Sequence, residues 1–219
     1  MNFGRLEVFA RLEAAPRATL DAMIARGVNA PLSSSCGRLF DAAAALCGLA
    51  WDAQAYEGEA AMHLEAALDP AALGESDDLA YPFAIPLLGG KGLPYIEPLA
   101  VWRALLGDLY LGAPVGVISA RFHRGLAKAI VAMAARLSGE EHSCPTVALS
   151  GGCFQNATLF ALVHEGLEAR GFNVLSHERV PANDGGLALG QAVVALAQRQ
   201  EEPGESHVPR DSGAGRRDQ

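Results

Sequence analysis

The chain is predicted to be an α/β domain in which parallel strands end in glycine turns that run on into helices. Three observations within residues 146–191 support this. A β-type run, Thr146-Val147-Ala148-Leu149, stops at Ser150-Gly151-Gly152, a turn that only small residues make easily. Helical spacing of Leu159, Leu162, Val163 and Leu167 follows, with Gly171 where a helix C-cap belongs. A second β-type run, Phe172-Asn173-Val174-Leu175, then leads through a polar loop to Asn183-Asp184-Gly185-Gly186 and the start of another helix. In a parallel sheet both glycine turns fall at the carboxyl ends of the strands, on one edge. Such folds place ligands there, and helix N-termini on that edge favour phosphate groups.

The remaining elements are read in chain order. Residues 1–16 are weakly patterned. Leu20, Met23 and Ile24 predict a helix over about 17–26, stopped by Gly27. Ser33-Ser34-Ser35 offers N-caps to a helix reaching about Leu46, with Leu39, Phe40, Ala43, Leu46 and Cys47 on its buried face. Another helix begins around Tyr56-Glu57-Gly58-Glu59, and its His63 and Glu65 are read as solvated. Prolines 82 and 86 limit residues 81–88 to an edge strand, and Gly89-Gly90-Lys91-Gly92 is read as a hairpin turn. Pro98 to about Leu109 is helical. The longest pattern runs from Pro114 to Leu137, a central packing helix on which His123 and Arg124 are read as surface residues. Residues 17–199 form the predicted domain, and the apolar-poor stretch 200–219 is expected to be disordered.

Composition narrows the function. The 219 residues are half hydrophobic, enough for a packed core, and the formal net charge is −8. That charge, with no basic cluster, argues against nucleic acid as a partner. No apolar run approaches the roughly twenty residues of a membrane helix, and no signal peptide is visible, so a cytoplasmic location is expected. Cys36, Cys47, Cys144 and Cys153 form no C-x-x-C pair, which suits reduced thiols rather than a zinc ribbon.

Several residues point to ligand chemistry. Asp41 falls beside an apolar face, where a carboxylate needs water, a partner or a ligand. Gly58 lies in a helix's first turn, where the missing side chain admits either a ligand or a tight turn. Gly151 and Gly152 leave backbone N–H groups open to a phosphate or nucleotide. Asn156 could cap a helix or hydrogen-bond a base. Asp184 has two roles open to it, N-cap of the following helix or ligand of a divalent metal.

The motifs SSSCGRLFDAAAALCGL, YEGEAAMHLEAAL, VALSGGCFQNATLF and VPANDGGLALGQA occur in one order over roughly residues 20–199. Together they resemble the C-terminal region of the HypF hydrogenase-maturation carbamoyltransferases. More distantly they are similar to the TsaD family of tRNA threonylcarbamoyl transferases. The resemblance implies the second lobe of an actin-like ATPase (ASKHA), TsaD-like domain, with added helices. It implies a carbamoyltransferase or ligase that makes carbamoyl-adenylate from carbamoyl phosphate and ATP. The carbamoyl group would pass to the C-terminal cysteine thiol of HypE, toward the cyanide ligands of [NiFe] hydrogenase. Carried over by motif, Asp41 and Gly58 should contact the ribose side, Gly151 and Gly152 the nucleotide, and Asn156 the base. Asp184 should ligate a divalent metal, with Fe, Zn and Mg all open.

The departures carry equal weight. The family's acylphosphatase, C-x-x-C and YrdC-like modules do not occur in this stretch, nor does the first lobe of the transfer domain. The H-x-x-x-H pair that completes the metal site is missing too, since His63, His123, His142, His164, His177 and His207 are never four apart. The chain is therefore expected to be a second lobe, as a fragment or a subunit completed by a missing first lobe, with little transfer activity alone. The competing readings are a non-catalytic binding remnant of the same fold and a TsaD-like transferase acting on tRNA.

Overall fold

A computed structural model of the chain describes residues 3–139 and 144–201. Helices α1 (Glu7–Ala14), α2 (Arg17–Arg26), α3 (Cys36–Leu46) and α4 (Glu59–Ala66) come first. Next come α5 (Leu99–Tyr110) and α6 (Val115–Leu137). The last third alternates: β1 (Thr146–Ala148), α7 (Ala157–Glu168), β2 (Asn173–Leu175), α8 (Leu187–Glu201). The strands pair in parallel, with Val147 opposite Val174, as the glycine-turn pattern requires. Helix boundaries follow local chemistry. Gly27 takes the left-handed conformation (φ 65°) and ends α2, and the Ser35 hydroxyl accepts from Arg38 N–H to start α3.

The core is built around α6. Ile118, Phe122 and Leu126 from its first half pack with Phe40 of α3, Leu64 of α4, Val101 and Leu105 of α5, and Leu159, Val163 and Leu167 of α7. Phe40 and Phe122 meet edge to face, centroids 5.2 Å apart. Residues are buried on every side of this helix, so polar side chains there are enclosed as well. His123 is fully buried and Arg124 nearly so, which corrects the surface reading of both. Arg124 reaches out of the core to donate to the carbonyls of Glu75 and Ser76.

Other local differences have plain causes. Residues 81–88 form no continuous edge strand. Two isolated antiparallel bridges, Ala84 to Glu97 and Leu87 to Pro94, stand in its place, because prolines remove the ladder donors. The turn at 88–92 does reverse the chain, with Leu88 N–H donating to Leu93 O at 2.9 Å. In the weakly patterned first segment, α1 buries Val8. The expected tail lies, from residue 202 onward, outside the described residues, as does His142. Every side chain from Leu187 to Arg199 of α8 is exposed.

Candidate functional site

The two glycine turns lie side by side at the carboxyl ends of β1 and β2. Leu149 N–H donates to Leu175 O at 2.8 Å, which extends the sheet pairing, and Gly151 N–H donates to Ala182 O at 2.8 Å, which joins the turns. The Ser150 hydroxyl lies 2.9 Å from His177 Nε2. Gly151, Gly152, Asn183, Asp184 and Gly185 are all exposed. Gly151 has φ 105° and ψ 154°, a conformation that L side chains rarely adopt, and a Cβ there would meet only open space. Among the described residues, the N–H groups of Gly152 and Cys153 have no hydrogen-bond acceptor. Both amides are open donors in the turn.

Capping of the second turn falls to Asn183, whose Oδ1 accepts from Gly185 N–H at 3.0 Å. The adjacent Asp184 carboxylate makes no hydrogen bond or ion pair with the described residues. Of its two sequence-level roles, the N-cap belongs to its neighbour, which leaves the carboxylate uncommitted.

The start of α7 is closed from within. Asn156 Oδ1 accepts from Leu159 N–H at 2.7 Å, and Glu65 Oε1 of α4 accepts from Thr158 N–H at 2.9 Å. Glu65 thus sets a carboxylate against the positive pole of α7. Glu65 is half-buried and engaged, not solvated. The other end of Asn156, Nδ2, lies 2.9 Å from Nε2 of buried His123, whose Nδ1 lies 2.8 Å from Ser119 O. Burial lowers the His123 pKa below the usual imidazole value, with the Ser119 carbonyl and then Glu65 opposing the shift, which favours the neutral ring. Spacing gave no sign of Glu65. Ser119 and His123, four apart on α6, were the one available hint of a polar line through that helix.

On α3, Asp41 is mostly buried, and both carboxylate oxygens are sealed from water without a hydrogen bond. Arg38 Nη2 lies 2.8 Å from Asp41 Oδ2. The contact is an ion pair without hydrogen-bond alignment. Cys153 of the first glycine turn comes close to this end of α3. The neighbouring Cys36 thiol, helped by the Arg38 charge, brings the Cys153 thiol down to about 7. The same contact and burial push Cys36 up. Gly58 is the left-handed N-cap of α4 (φ 85°) with open space where a Cβ would stand. A shallow recess of about 650 Å³ is lined by Arg38, Trp51, Gln54, Tyr56 and Glu57 among others, and neither Asp41 nor Gly58 lines it. The glycine turns do not line it.

Among the described residues, no three His, Cys, Asp or Glu side chains converge as a metal cluster. Asp184 supplies one hard oxygen, and a divalent cation takes about six ligands. No described helix is long and apolar enough to cross a membrane.

A short parallel sheet with glycine turns on one edge and helices packed behind it is an α/β lobe, and its match to a Kae1-like second subdomain places it in the two-lobed, TsaD-like class. Residues 3–191 match the family described as "Carbamoyltransferase, Kae1-like Domain, second subdomain". The chain belongs to the HypF carbamoyltransferase family. It is 44% identical over 185 residues to the carbamoyltransferase HypF of Rhodobacter capsulatus, an alignment covering 84% of this chain and 22% of that protein. A HypF homolog of Cupriavidus necator is 40% identical over 186 residues, 82% of this chain and 45% of its own length. A crystal structure of full-length HypF in the phosphate- and nucleotide-bound form superposes with a TM-score of 0.76 at 33% identity. That match covers 91% of this chain and 26% of the full-length one. The chain thus spans less than half the length of these relatives.

Proposed function

We propose that this chain is the second lobe of a HypF-type carbamoyltransferase and binds ATP and carbamoyl-adenylate against a first lobe supplied by the rest of a longer protein or by another chain. The observation that carries this reading is the pairing of the two glycine turns through Gly151 N–H and Ala182 O, with Asp184 uncommitted beside them. In this reading Gly151 leaves space for the nucleotide, and the amides of Gly152 and Cys153 donate to its phosphates. Asn156 has one amide hydrogen left for the base, since its oxygen and its other hydrogen are engaged internally. Asp41 and Gly58 serve the ribose side, and Asp41 becomes reachable once the half-exposed Arg38 side chain turns outward. Asp184 is one ligand of a divalent metal (Fe, Zn or Mg) that would neutralise phosphate charge when bound.

In the transfer step the thiolate of HypE's C-terminal cysteine attacks the carbamoyl carbon. A carbon–sulfur bond forms, the bond from that carbon to the adenylate phosphate oxygen breaks, and AMP leaves with the electron pair. The thiol proton goes to solvent. This chain's part is to hold and orient the adenylate. The exposed apolar side chains of α8 (Leu187, Leu189, Val193, Val194 and Leu196) are the surface that the first lobe covers. A cytoplasmic setting and the production of cyanide ligands for [NiFe] hydrogenase belong to the same proposal.

Calorimetric titration with ATP, run on the chain together with the first-lobe portion of a relative, tests it. We expect saturable binding that weakens at least tenfold in Asp41→Ala and Gly151→Val variants. Absence of binding even with both lobes present would leave the non-catalytic remnant as the better account.

A further inference from the structure

The core is wired to the first glycine turn through one imidazole. His123 is fully buried, with Phe40 and Phe122 against its ring at centroid distances of 5.2 and 6.1 Å. Its Nδ1 lies 2.8 Å from the carbonyl of Ser119, which can only accept, so Nδ1 carries the proton. In a neutral ring Nε2 is then a lone-pair acceptor. The group facing it at 2.9 Å is Asn156, whose oxygen is already taken by Leu159 N–H at 2.7 Å. Asn156 therefore presents its NH₂ to Nε2. Turning the amide over would set oxygen against a lone pair and NH₂ against the helix N–H. Both errors leave buried groups unmatched. The Ser119 hydroxyl continues the line by donating to Leu64 O on α4.

We propose that His123, as its Nδ1–H tautomer, is a positioning residue that fixes the orientation of Asn156 and with it the end of the Ser150–Asn156 turn. No other described polar group approaches the Asn156 amide nitrogen. The consequence for nucleotide affinity rests on the function proposed above. The positioning itself does not.

The test uses the full chain and two neutral variants that split the ring's two jobs. His123→Gln places its amide oxygen at the same bond distance from Cα as Nε2 and keeps the acceptor for Asn156. His123→Asn keeps a donor at the Nδ1 position and loses that acceptor. Hydrogen exchange at Leu159 N–H reads the cap. We expect His123→Gln to stay within about twofold of the wild type and His123→Asn to exchange about fivefold faster or more. Thermal melts of the two variants should fall by similar amounts, which separates positioning from packing. Equal exchange in both variants overturns the proposal. A long-range proton–nitrogen spectrum of the wild-type imidazoles tests it without substitution: Nδ1–H supports it, and Nε2–H or an imidazolium at neutral pH overturns it. If the two-lobed protein binds ATP, its affinity should fall in His123→Asn and recover in His123→Gln. If the wild type binds none, the proposed function fails, while the exchange and tautomer results still decide this inference.

Discussion

Replacing Glu65 by alanine asks whether the positive end of α7 is closed by the protein itself. The Glu65 carboxylate accepts from Thr158 N–H at 2.9 Å, in the first turn of a twelve-residue helix, and the residue is half-buried. A hydrogen bond to a charged group contributes about 1.5–3 kcal/mol, and a charge at a helix end about 0.3–1 kcal/mol within that total. Partial solvent screening puts the expected loss near 2 kcal/mol for Glu65→Ala. Glu65→Gln keeps an acceptor without the charge and should lose less than about 1 kcal/mol. Urea denaturation followed by circular dichroism reads the difference, a midpoint lowered by roughly 0.7–1 M if the slope is about 2–3 kcal/mol per molar. A second arm adds inorganic phosphate. With the carboxylate gone the helix end is open, so phosphate should stabilise the alanine variant more than the wild type. A loss under about 0.5 kcal/mol, or equal protection of both proteins by phosphate, would refute the reasoning.

Three further outcomes follow from the same geometry. His123 is neutral in the fold and has an ordinary value of 6.5 when unfolded, so the unfolded chain binds the extra proton below that pH. Stability should therefore fall as pH drops from about 6.5, by up to about 1.4 kcal/mol per unit, with Glu65 on α4 partly opposing the loss. His123→Gln should flatten that limb of a stability–pH curve, and an unchanged limb counts against a buried neutral ring. Cys153, brought down to about 7, should be alkylated by iodoacetamide with a midpoint near neutral pH. The midpoint should rise in Cys36→Ala, read by peptide mass spectrometry, whereas Cys47, pushed up to about 12 by burial, stays unreactive. Gly125→Ala drives a Cβ into the Tyr81 carbonyl, which must shift while Tyr81 is held by hydrogen bonds to Arg121 O and Asp108. A loss of about 3 kcal/mol or more is expected, and a near-native melting temperature would show that the loop yields easily.

The elements near the glycine turns were legible because local chemistry fixes them. Gly151 follows a β-run, Gly171 ends a helix, and parallel pairing then brings both turns to one edge. The relation of Asp184 to Asn183 was half legible: both are capping residues, and only backbone geometry decides which side chain turns inward. His123 and Glu65 escaped for a different reason. Each sits on a helix, and a partner that engages it comes from a distant stretch of chain, 33 residues away for His123–Asn156 and 93 for Glu65–Thr158. Periodicity reports which face a residue is on and not what crosses over to meet it. Residues 81–88 were overread because an edge strand tolerates proline only where a partner strand supplies the remaining donors.

The clasp between Gly151 and Ala182 makes the two turns mechanically one piece. A molecule that displaces the first turn tugs on the backbone two residues before Asp184, and one that grips Asp184 tugs back. Linkage demands that such influence be mutual and of equal size. Any coupling this clasp carries between a group held by one turn and a group held by the other is therefore equal in both directions.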